Sequence, residues 1–450
     1  MITSATFKDK TYLVFGLGRT GLAAMKALAK SGAKVYAWDD KQDNVDKAKE
    51  AADGGVMFTH PKDLKWVEID HIVLSPGIPF LPGKEHQIVA LARALNKSIV
   101  SDIDLLHQAC PDATYIGITG TNGKSTTTAL IGHILKENNV NVQVGGNIGI
   151  PVMELEPLGS NGVYVLELSS YQLDLIQTAR INIAAFINIT PDHLDRHGTF
   201  DNYLNAKLRI FSNQSSEDTA IISQDYPETK IIHSTMGNTL SFSTSDREAD
   251  ICTEGNMISD RVSGFTSSLG TLEYLPGTHN LENIAAAYGA ATTYGISPKN
   301  AVAAIKSFKG LKHRIQTILD KDGVKFINDS KATNANSVEK ALMCFDKVYW
   351  IAGGIAKSDG ITPLTGMFNK IEHAYLIGHA QDEFANTLLS NNVKFDKCTT
   401  LENALEQIKK SGIQSGVILF SPACASFDQF KDYEHRGDVY IKLVNEKFNQ

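Results

Sequence analysis

Residues 114–135 read TYIGITGTNGKSTTTALIGHIL. A short β-branched run at 114–118 enters a glycine-rich turn, and helix-forming residues follow from about 124. In a strand–turn–helix unit of this kind, successive backbone N–H groups face one phosphate and the helix N-terminus adds its dipole. GTNGKST (120–126) supplies Gly120, Thr121, Asn122 and Gly123 to the turn, and Lys124 as a point charge for the outer phosphates. Ser125 offers a hydroxyl for a magnesium ion, with Thr126 beside it. The general pattern G-x-x-x-x-G-K-[ST] needs glycine at 118; Ile118 stands there, with Gly117 next to it. The strict signature fails by one position. A Gly-Lys turn opening a helix is the plainer alternative, and the two glycines between strand and helix favour a nucleotide.

Outward from this unit the chain alternates strand and helix in three passes, as parallel sheets require. Upstream, residues 11–15 read as a strand, 20–31 as a helix and 34–38 as a second strand; IVLSPGIP (72–79) is a further strand end with a Pro-Gly turn. Downstream of the glycine turn, VYVLEL (163–168) and IAAFINI (183–189) continue the central sheet. Residues 213–275 are polar and irregular, with short runs such as AIIS and TLSFS, and read as a small β excursion within the same domain. LENIAAAYGAATTYG (281–295) restores the helix. VKFIND (324–329), KVYWIAGG (347–354), HAYLIG (373–378) and GVILFSP (416–422) read as strands of a third pass, separated by helical DEFANTLL and ENALEQIKK. The expected fold is α/β with three domains, each on a largely parallel sheet. Residues 1–105 are Rossmann-like, 106–312 resemble a P-loop NTPase, and 313–450 are again Rossmann-like. A length of 450 residues suits three units of ordinary size.

Composition narrows the function. The chain is 42% hydrophobic and 21% charged with a formal charge of −7, which argues against a general nucleic-acid binder. The opening MITSATFKDK lacks the apolar core of a secretory signal, and no apolar run is long enough to span a bilayer. Five scattered cysteines without a C-x-x-C suit reduced thiols, so a cytoplasmic protein is expected. Cys424 reads as a small buried apolar side chain.

Three further features carry chemistry. Glu167 closes the strand VYVLEL, where a carboxylate can hold Mg²⁺ over the glycine loop, although a solvated strand-end charge is the simpler reading. His193, in ITPDHLDRHG (189–198), follows another strand; most such histidines are structural. GLGRTG (16–21) matches G-x-G-x-x-G after a strand, and Asp39 falls where a ribose-binding acid is expected. Which nucleotide it would bind stays open, and a nicotinamide dehydrogenase is a rival.

Taken together, GTNGKST, GGNIG (145–149), LELSSYQL (166–173), TPDHLDRH (190–197), NAKLRI (205–210), HNLEN (279–283), HR (313–314), NDSKATN (328–334) and SPACASFDQF (421–430) resemble the blocks of the Mur ligase family. The likeness runs in order along essentially the whole chain. It is nearest the branch that joins D-glutamate to UDP-N-acetylmuramoyl-L-alanine in peptidoglycan synthesis. GTNGKST is that family's own loop spelling. The resemblance implies an ATP-dependent ligase working through an acyl phosphate, with Mg²⁺, expected as two ions. The first domain would hold the UDP end, the second ATP, and the third would close over both with the amino acid.

Residue by residue, the resemblance implies that Lys124 and Ser125 meet ATP phosphates and Mg²⁺, with Glu167 and His193 as magnesium ligands. Lys207 matches a lysine that the family carbamylates, which turns a cation into an anionic ligand. Asn147 would contact the substrate near its reacting end. Asn283 would read the adenine, and Arg314 and Asp329 would complete the ATP site. Lys331, Thr333, Lys357 and Ser426 would hold D-glutamate. Gly18, Arg19, Thr20, Asp39, Asp40, Ser75, Pro76 and Gly77 would hold the uracil nucleotide. Arg19 replaces an apolar residue and Tyr433 a phenylalanine beside the amino-acid site, where its hydroxyl can add a hydrogen bond. AGGIAKSDG (352–360) is looser than the family's loop. The two substrates are the only partners expected, with neither nucleic acid nor membrane, and the protein is expected to work as a monomer. Against a sister ligase or a folylpolyglutamate synthase stand SPACASFDQF and the absence of a D-N-P-R block. A dehydrogenase would leave GTNGKST and NDSKATN without work, and a non-catalytic ATP-binding module would not need Lys207.

Overall fold

The computed structural model describes residues 1–449 apart from positions 231, 233–236, 273 and 358. Position 358 of the AGGIAKSDG loop, and parts of the 213–275 excursion, therefore lie outside the described residues.

The first sheet consists of β1 (Thr11–Phe15), β2 (Lys34–Trp38), β3 (Val56–Phe58), β4 (His71–Leu74) and β5 (Ser98–Val100), all parallel, in the order β3-β2-β1-β4-β5. The order reverses between β1 and β4, so the loops after these two strands open a crevice at their C-terminal ends. Glycine is obligatory there. A Cβ on Gly21 would lie 1.8 Å from the Gly16 carbonyl oxygen, and one on Gly16 (φ +88°) would lie 2.7 Å from Ser75 Cβ.

The second sheet has nine strands: β6 (Thr114–Thr119), β7 (Asn141–Gly146), β8 (Gly162–Glu167), β9 (Ile183–Phe186), β10 (Thr219–Ser223), β11 (Asn238–Ser243), β12 (Ile251–Glu254), β13 (Met257–Asp260) and β14 (Phe265–Ser268). Their order is β14-β13-β12-β11-β10-β9-β6-β8-β7. The 213–275 segment is more regular than its sequence suggests. β10, β11 and β12 pair in parallel with β9 and with one another, and only the β12–β13–β14 meander is antiparallel. Ile221, Ile222 and Phe242 are fully buried, so these short runs are shared-core strands. Helices Lys124–Glu137 and His279–Tyr294 pack together on this sheet.

The third sheet holds β15 (Gln316–Lys321), β16 (Val324–Asn328), β17 (Val348–Gly353), β18 (Ile371–Ile377), β19 (Phe395–Thr399) and β20 (Gly416–Phe420), in the order β15-β16-β20-β17-β18-β19. It is parallel except for the β15–β16 hairpin, whose Asp322-Gly323 turn has both residues at positive φ.

The sheets fall on the three expected passes. By packing, however, the chain forms two compact units, residues 1–271 with 278–307, and residues 272–277 with 308–450. The first two sheets share a single apolar core in which Val14, Leu28, Ile103, Met153 and Leu166 are all buried. No helix among the described residues is long and apolar enough to cross a membrane.

Within the first unit, Asp104 joins the two sheets. Its buried carboxylate accepts the backbone N–H groups of Gln177, Thr178 and Ala179 at 2.8–3.1 Å, and the Ser101 hydroxyl at 2.7 Å. Removing the acceptor strands the buried Ala179 N–H, at about 1–3 kcal/mol, and leaves the part-buried Gln177 and Thr178 N–H groups to water. Asp104→Ala is therefore expected to destabilise the protein by about 2 kcal/mol, read as a lowered urea midpoint, whereas Asp104→Asn keeps an acceptor and loses less.

Candidate active site

The GTNGKST loop is fixed from beneath by Asn188, which follows β9. Its carbonyl accepts Thr121 N–H at 3.0 Å and its Oδ1 accepts Asn122 N–H at 2.8 Å. Asn188 Nδ2 in turn donates to Glu282 at 2.9 Å. Gly123 sits at φ +78° as the N-cap of the helix, and a Cβ there would lie 2.0 Å from Asn283 Oδ1. Asn283 is buried, accepting from Thr127 Oγ1 and donating to Asn280 Oδ1, so in this structure it braces the loop. Ser125 is buried and Asn122 exposed.

The two lysines converge. Lys124 Nζ donates to the carbonyls of Gly120 and Thr121 at 2.9 Å, and Lys207 Nζ donates to the same Gly120 carbonyl at 2.7 Å. Lys207 is 1% exposed, with its amine 4.7 Å over the ring of Tyr203. Burial, and then the charge of Lys124, holds its amine well below the usual lysine range. Tyr203 also hydrogen-bonds Thr121 Oγ1 at 3.1 Å. Glu167, at the end of β8, is 2% exposed; its Oε1 accepts Asn147 Nδ2 at 2.6 Å, and its Oε2 is buried without a hydrogen-bond partner. Such an orphaned carboxylate oxygen is costly unless a cation or donor completes it. His193 is half-exposed at φ +52°, and its Nδ1 hydrogen-bonds the Tyr171 hydroxyl at 3.2 Å.

A cleft of about 660 Å³ brings the loops of the first two sheets together. Of the residues expected from sequence, Gly18, Arg19, Thr20, Asp39, Ser75, Pro76, Gly77, Lys124, Asn147, His193 and Lys207 all line it. Asp39 accepts the Leu17 N–H at 2.6 Å and the Lys41 N–H at 2.8 Å, which orders the glycine turn. Arg19 donates to the Gly149 carbonyl at 2.5 Å, so this unexpected arginine tethers the GGNIG loop. Asp40 lies outside the main cleft: it pairs with His86 at 2.8 Å and lines a separate cavity of about 250 Å³.

Sequence reading missed Tyr203, Tyr171, Asn188 and Arg196. Arg196 donates to the carbonyls of Pro76, Gly77 and Ile78, and its guanidinium lies 5.0 Å over the Tyr171 ring. Tyr171 and Arg196 sit inside quoted blocks, but their work is to hold other residues, which leaves no pattern of its own.

The remaining expected residues belong to the second unit. Asp329 follows β16, accepts the Ser421 hydroxyl at 2.7 Å and the Ile315 N–H at 3.2 Å, and is pushed up to about 7 by burial. Lys331 Nζ lies 3.9 Å over the Tyr433 ring, a cation–π contact. Ser426 is buried, Arg314 and Thr333 are half-buried, and Lys357 is exposed. All five cysteines are free, and Cys424 is fully buried as its sequence suggests.

Residues 118–291 match the model of the Mur ligase middle domain, and residues 10–101 that of the Mur ligase MurD-like N-terminal domain. The chain is 41% identical to UDP-N-acetylmuramoylalanine--D-glutamate ligase of Paramagnetospirillum magneticum, covering 99% of this chain and 98% of that one. It is 43% identical to the enzyme of the same name from Caulobacter vibrioides, over 99% and 98%. Among solved structures it resembles UDP-N-acetylmuramoylalanyl-D-glutamyl-2,6-diaminopimelate--D-alanyl-D-alanyl ligase of Acinetobacter baumannii, with a TM-score of 0.64 at 18% identity over 96% and 93% of the two chains. It also resembles MurF ligase from Thermotoga maritima in complex with ADP, with a TM-score of 0.60 at 17% identity over 98% of each chain. At these identities the structural likeness speaks to fold.

The glycine loop offers a direct check. Gly123→Ala places a methyl group on Asn283 at a backbone angle that disfavours side chains. Affinity for a non-hydrolysable nucleoside triphosphate is expected to fall at least about tenfold by calorimetry. Gly159→Ala, where the methyl group meets nothing within 4 Å, is expected to bind as the parent does.

Proposed function

The chain belongs to the Mur ligase family, and from that premise we propose that it joins D-glutamate to UDP-N-acetylmuramoyl-L-alanine, converting ATP to ADP and phosphate in peptidoglycan precursor synthesis. One observation carries the reading at the level of chemistry. Two lysine amines share one carbonyl oxygen beside a buried carboxylate that has one oxygen without a hydrogen-bond partner among the described residues, so the site can take both an anion and a cation. A magnesium-bound triphosphate supplies both. Near-complete identity of length with the D-glutamate ligases, at 41–43% identity, supports the substrate pair.

The substrate carboxylate attacks the γ-phosphorus of ATP, giving an acyl phosphate and ADP. The amine of D-glutamate then attacks the acyl carbon, and phosphate leaves. Two anions meet in the first step, so positive charge must gather where they approach. Lys124 would face that charge from the glycine loop, whose Thr121 and Asn122 amides are held by Asn188. Ser125, Glu167, His193 and a carbamylated Lys207 would hold two Mg²⁺ ions, whose chemistry is to neutralise charge on the transferring phosphoryl group. The residues present offer a hydroxyl, a carboxylate oxygen without a partner among the described residues and an imidazole, which suit the ion, and the carbamate would add a further oxygen donor. Carbamate forms only from an unprotonated amine. A lowered pKa raises the neutral fraction of Lys207 at any given pH, so burial makes CO₂ capture feasible near neutrality.

GLGRTG opens on the same cleft as Lys124, which supports its use for the UDP end rather than for a nicotinamide cofactor. In the functional division we assign the UDP end to residues 1–105, ATP to 106–312, and D-glutamate to 313–450. Lys331, Thr333, Lys357 and Ser426 would meet D-glutamate beside Tyr433. Arg314 and Asp329 would serve ATP, and Asn283 its adenine. Asp40, outside the main cleft, would reach the nucleotide only at its edge.

ADP and phosphate are expected only when both UDP-N-acetylmuramoyl-L-alanine and D-glutamate are present. Turnover with L-lysine or meso-diaminopimelate in place of D-glutamate would overturn the assignment. Lys207→Ala is expected to lose about a hundredfold or more in rate, with partial recovery in added short-chain carboxylates. Absence of recovery would count against the carbamate.

A further inference from the structure

In the second unit β16, β20 and β17 are neighbours, and their C-terminal ends run into three loops. These loops carry Lys331 and Thr333, Ser426, and Lys357. They are tied by one side chain that the reaction does not otherwise use. Arg436, in the helix Tyr433–Phe448, is 1% exposed. Its Nε donates to Ser330 Oγ at 3.0 Å, its Nη2 to the Ser330 carbonyl at 2.8 Å, and its Nη1 to the Cys424 carbonyl at 3.0 Å. The third loop is zipped to the second, since Ile355 and Ala425 exchange backbone hydrogen bonds of 2.9 Å. Gly354 lets that loop pass directly over the guanidinium, because a Cβ there would lie 3.3 Å from Arg436 Nη1 and 2.4 Å from the Ala425 carbonyl.

The hydrogen-bond partners of Arg436 are all neutral oxygens; Asp329 and Asp428 act on it only through space. A charge buried this way costs several kcal/mol that no ion pair returns, and burial lowers its pKa to about 10. A core needing only stability would be served as well by apolar side chains of similar volume. What a guanidinium adds is a rigid planar fork that sets two backbone segments at a fixed separation. The segments so fixed lie one residue before Lys331 and two residues before Ser426.

We propose that Arg436 is a positioning residue for the amino-acid site, holding the Lys331–Thr333 loop and the Ser426 loop at the separation that a dicarboxylic amino acid spans. This rests on the reading above that these side chains bind D-glutamate. The backbone of the three loops is the framework, and Arg436 is the clamp across it. Lysine cannot replace it, because one ammonium group cannot reach Ser330 and Cys424 with the same geometry.

The test measures KM separately for D-glutamate, ATP and UDP-N-acetylmuramoyl-L-alanine in the full-length enzyme, for Arg436→Lys, Arg436→Met and Ser330→Ala. Both Arg436 variants are expected to raise KM for D-glutamate about tenfold or more, with the other two KM values within about twofold. Ser330→Ala, which removes one acceptor and leaves the arginine, is expected to raise it about threefold. If Arg436→Met does not fold, the Lys and Ala variants carry the test. Equal shifts in all three KM values, or an unchanged KM for D-glutamate in Arg436→Lys and Ser330→Ala, would overturn the proposal. If the parent enzyme releases phosphate without needing D-glutamate, the reading beneath it fails instead.

Discussion

Two lysine amines meet on one carbonyl oxygen, one of them almost wholly buried, and positive charges held that close favour an anion beside them. Lys124 and Lys207 meet at the Gly120 carbonyl, and Lys207 is almost wholly buried. Proton loss relieves part of the repulsion, which is why burial and Lys124 both push the Lys207 amine downward. Across the same site, Glu167 keeps a buried oxygen without a hydrogen-bond partner among the described residues. On the proposed reading, an anion bound together with a metal would relieve both at once.

The rest of the first unit follows from placing these groups on strand ends. β6 delivers the glycine loop, β8 delivers Glu167, and the loop after β9 delivers Asn188 and, further on, His193. Because these strands are parallel neighbours, their C-terminal ends open on one side, and the side chains converge without long excursions of the chain. The switch point of the first sheet opens into the same cleft. Two arginines fasten it there: Arg19 to the Gly149 carbonyl, and Arg196 to the carbonyls after β4. The shared core beneath explains why two sheets that read as separate domains pack as one unit.

Glycines and charged residues at strand ends made much of this legible in the sequence. GTNGKST and GLGRTG obey local rules of backbone freedom, so one pass along the chain finds them, whereas Glu167 alone reads as a solvated strand-end charge and the structure buries it. The residues that were not legible act through others. Asn188 braces a loop 66 positions away, and Tyr203 connects Thr121 with Lys207. A hydrogen bond at such separation leaves no periodicity or spacing to read. The β10–β12 strands were obscured for a different reason: each is short, and only pairing with β9 reveals them as part of the main sheet. Asp39 was found, though its carboxylate orders the Leu17 turn as well as facing the cleft.

The proposed mechanism turns on the Lys207 amine, whose pKa burial lowers, taking up CO₂ to become an anion. Carbon-13 NMR of the protein equilibrated with labelled bicarbonate near neutral pH tests this directly. A carbamate resonance that is present in the parent protein and lost in Lys207→Arg is the result expected. If no such resonance forms, and the Lys207 amine titrates in the ordinary lysine range, the central claim is contradicted.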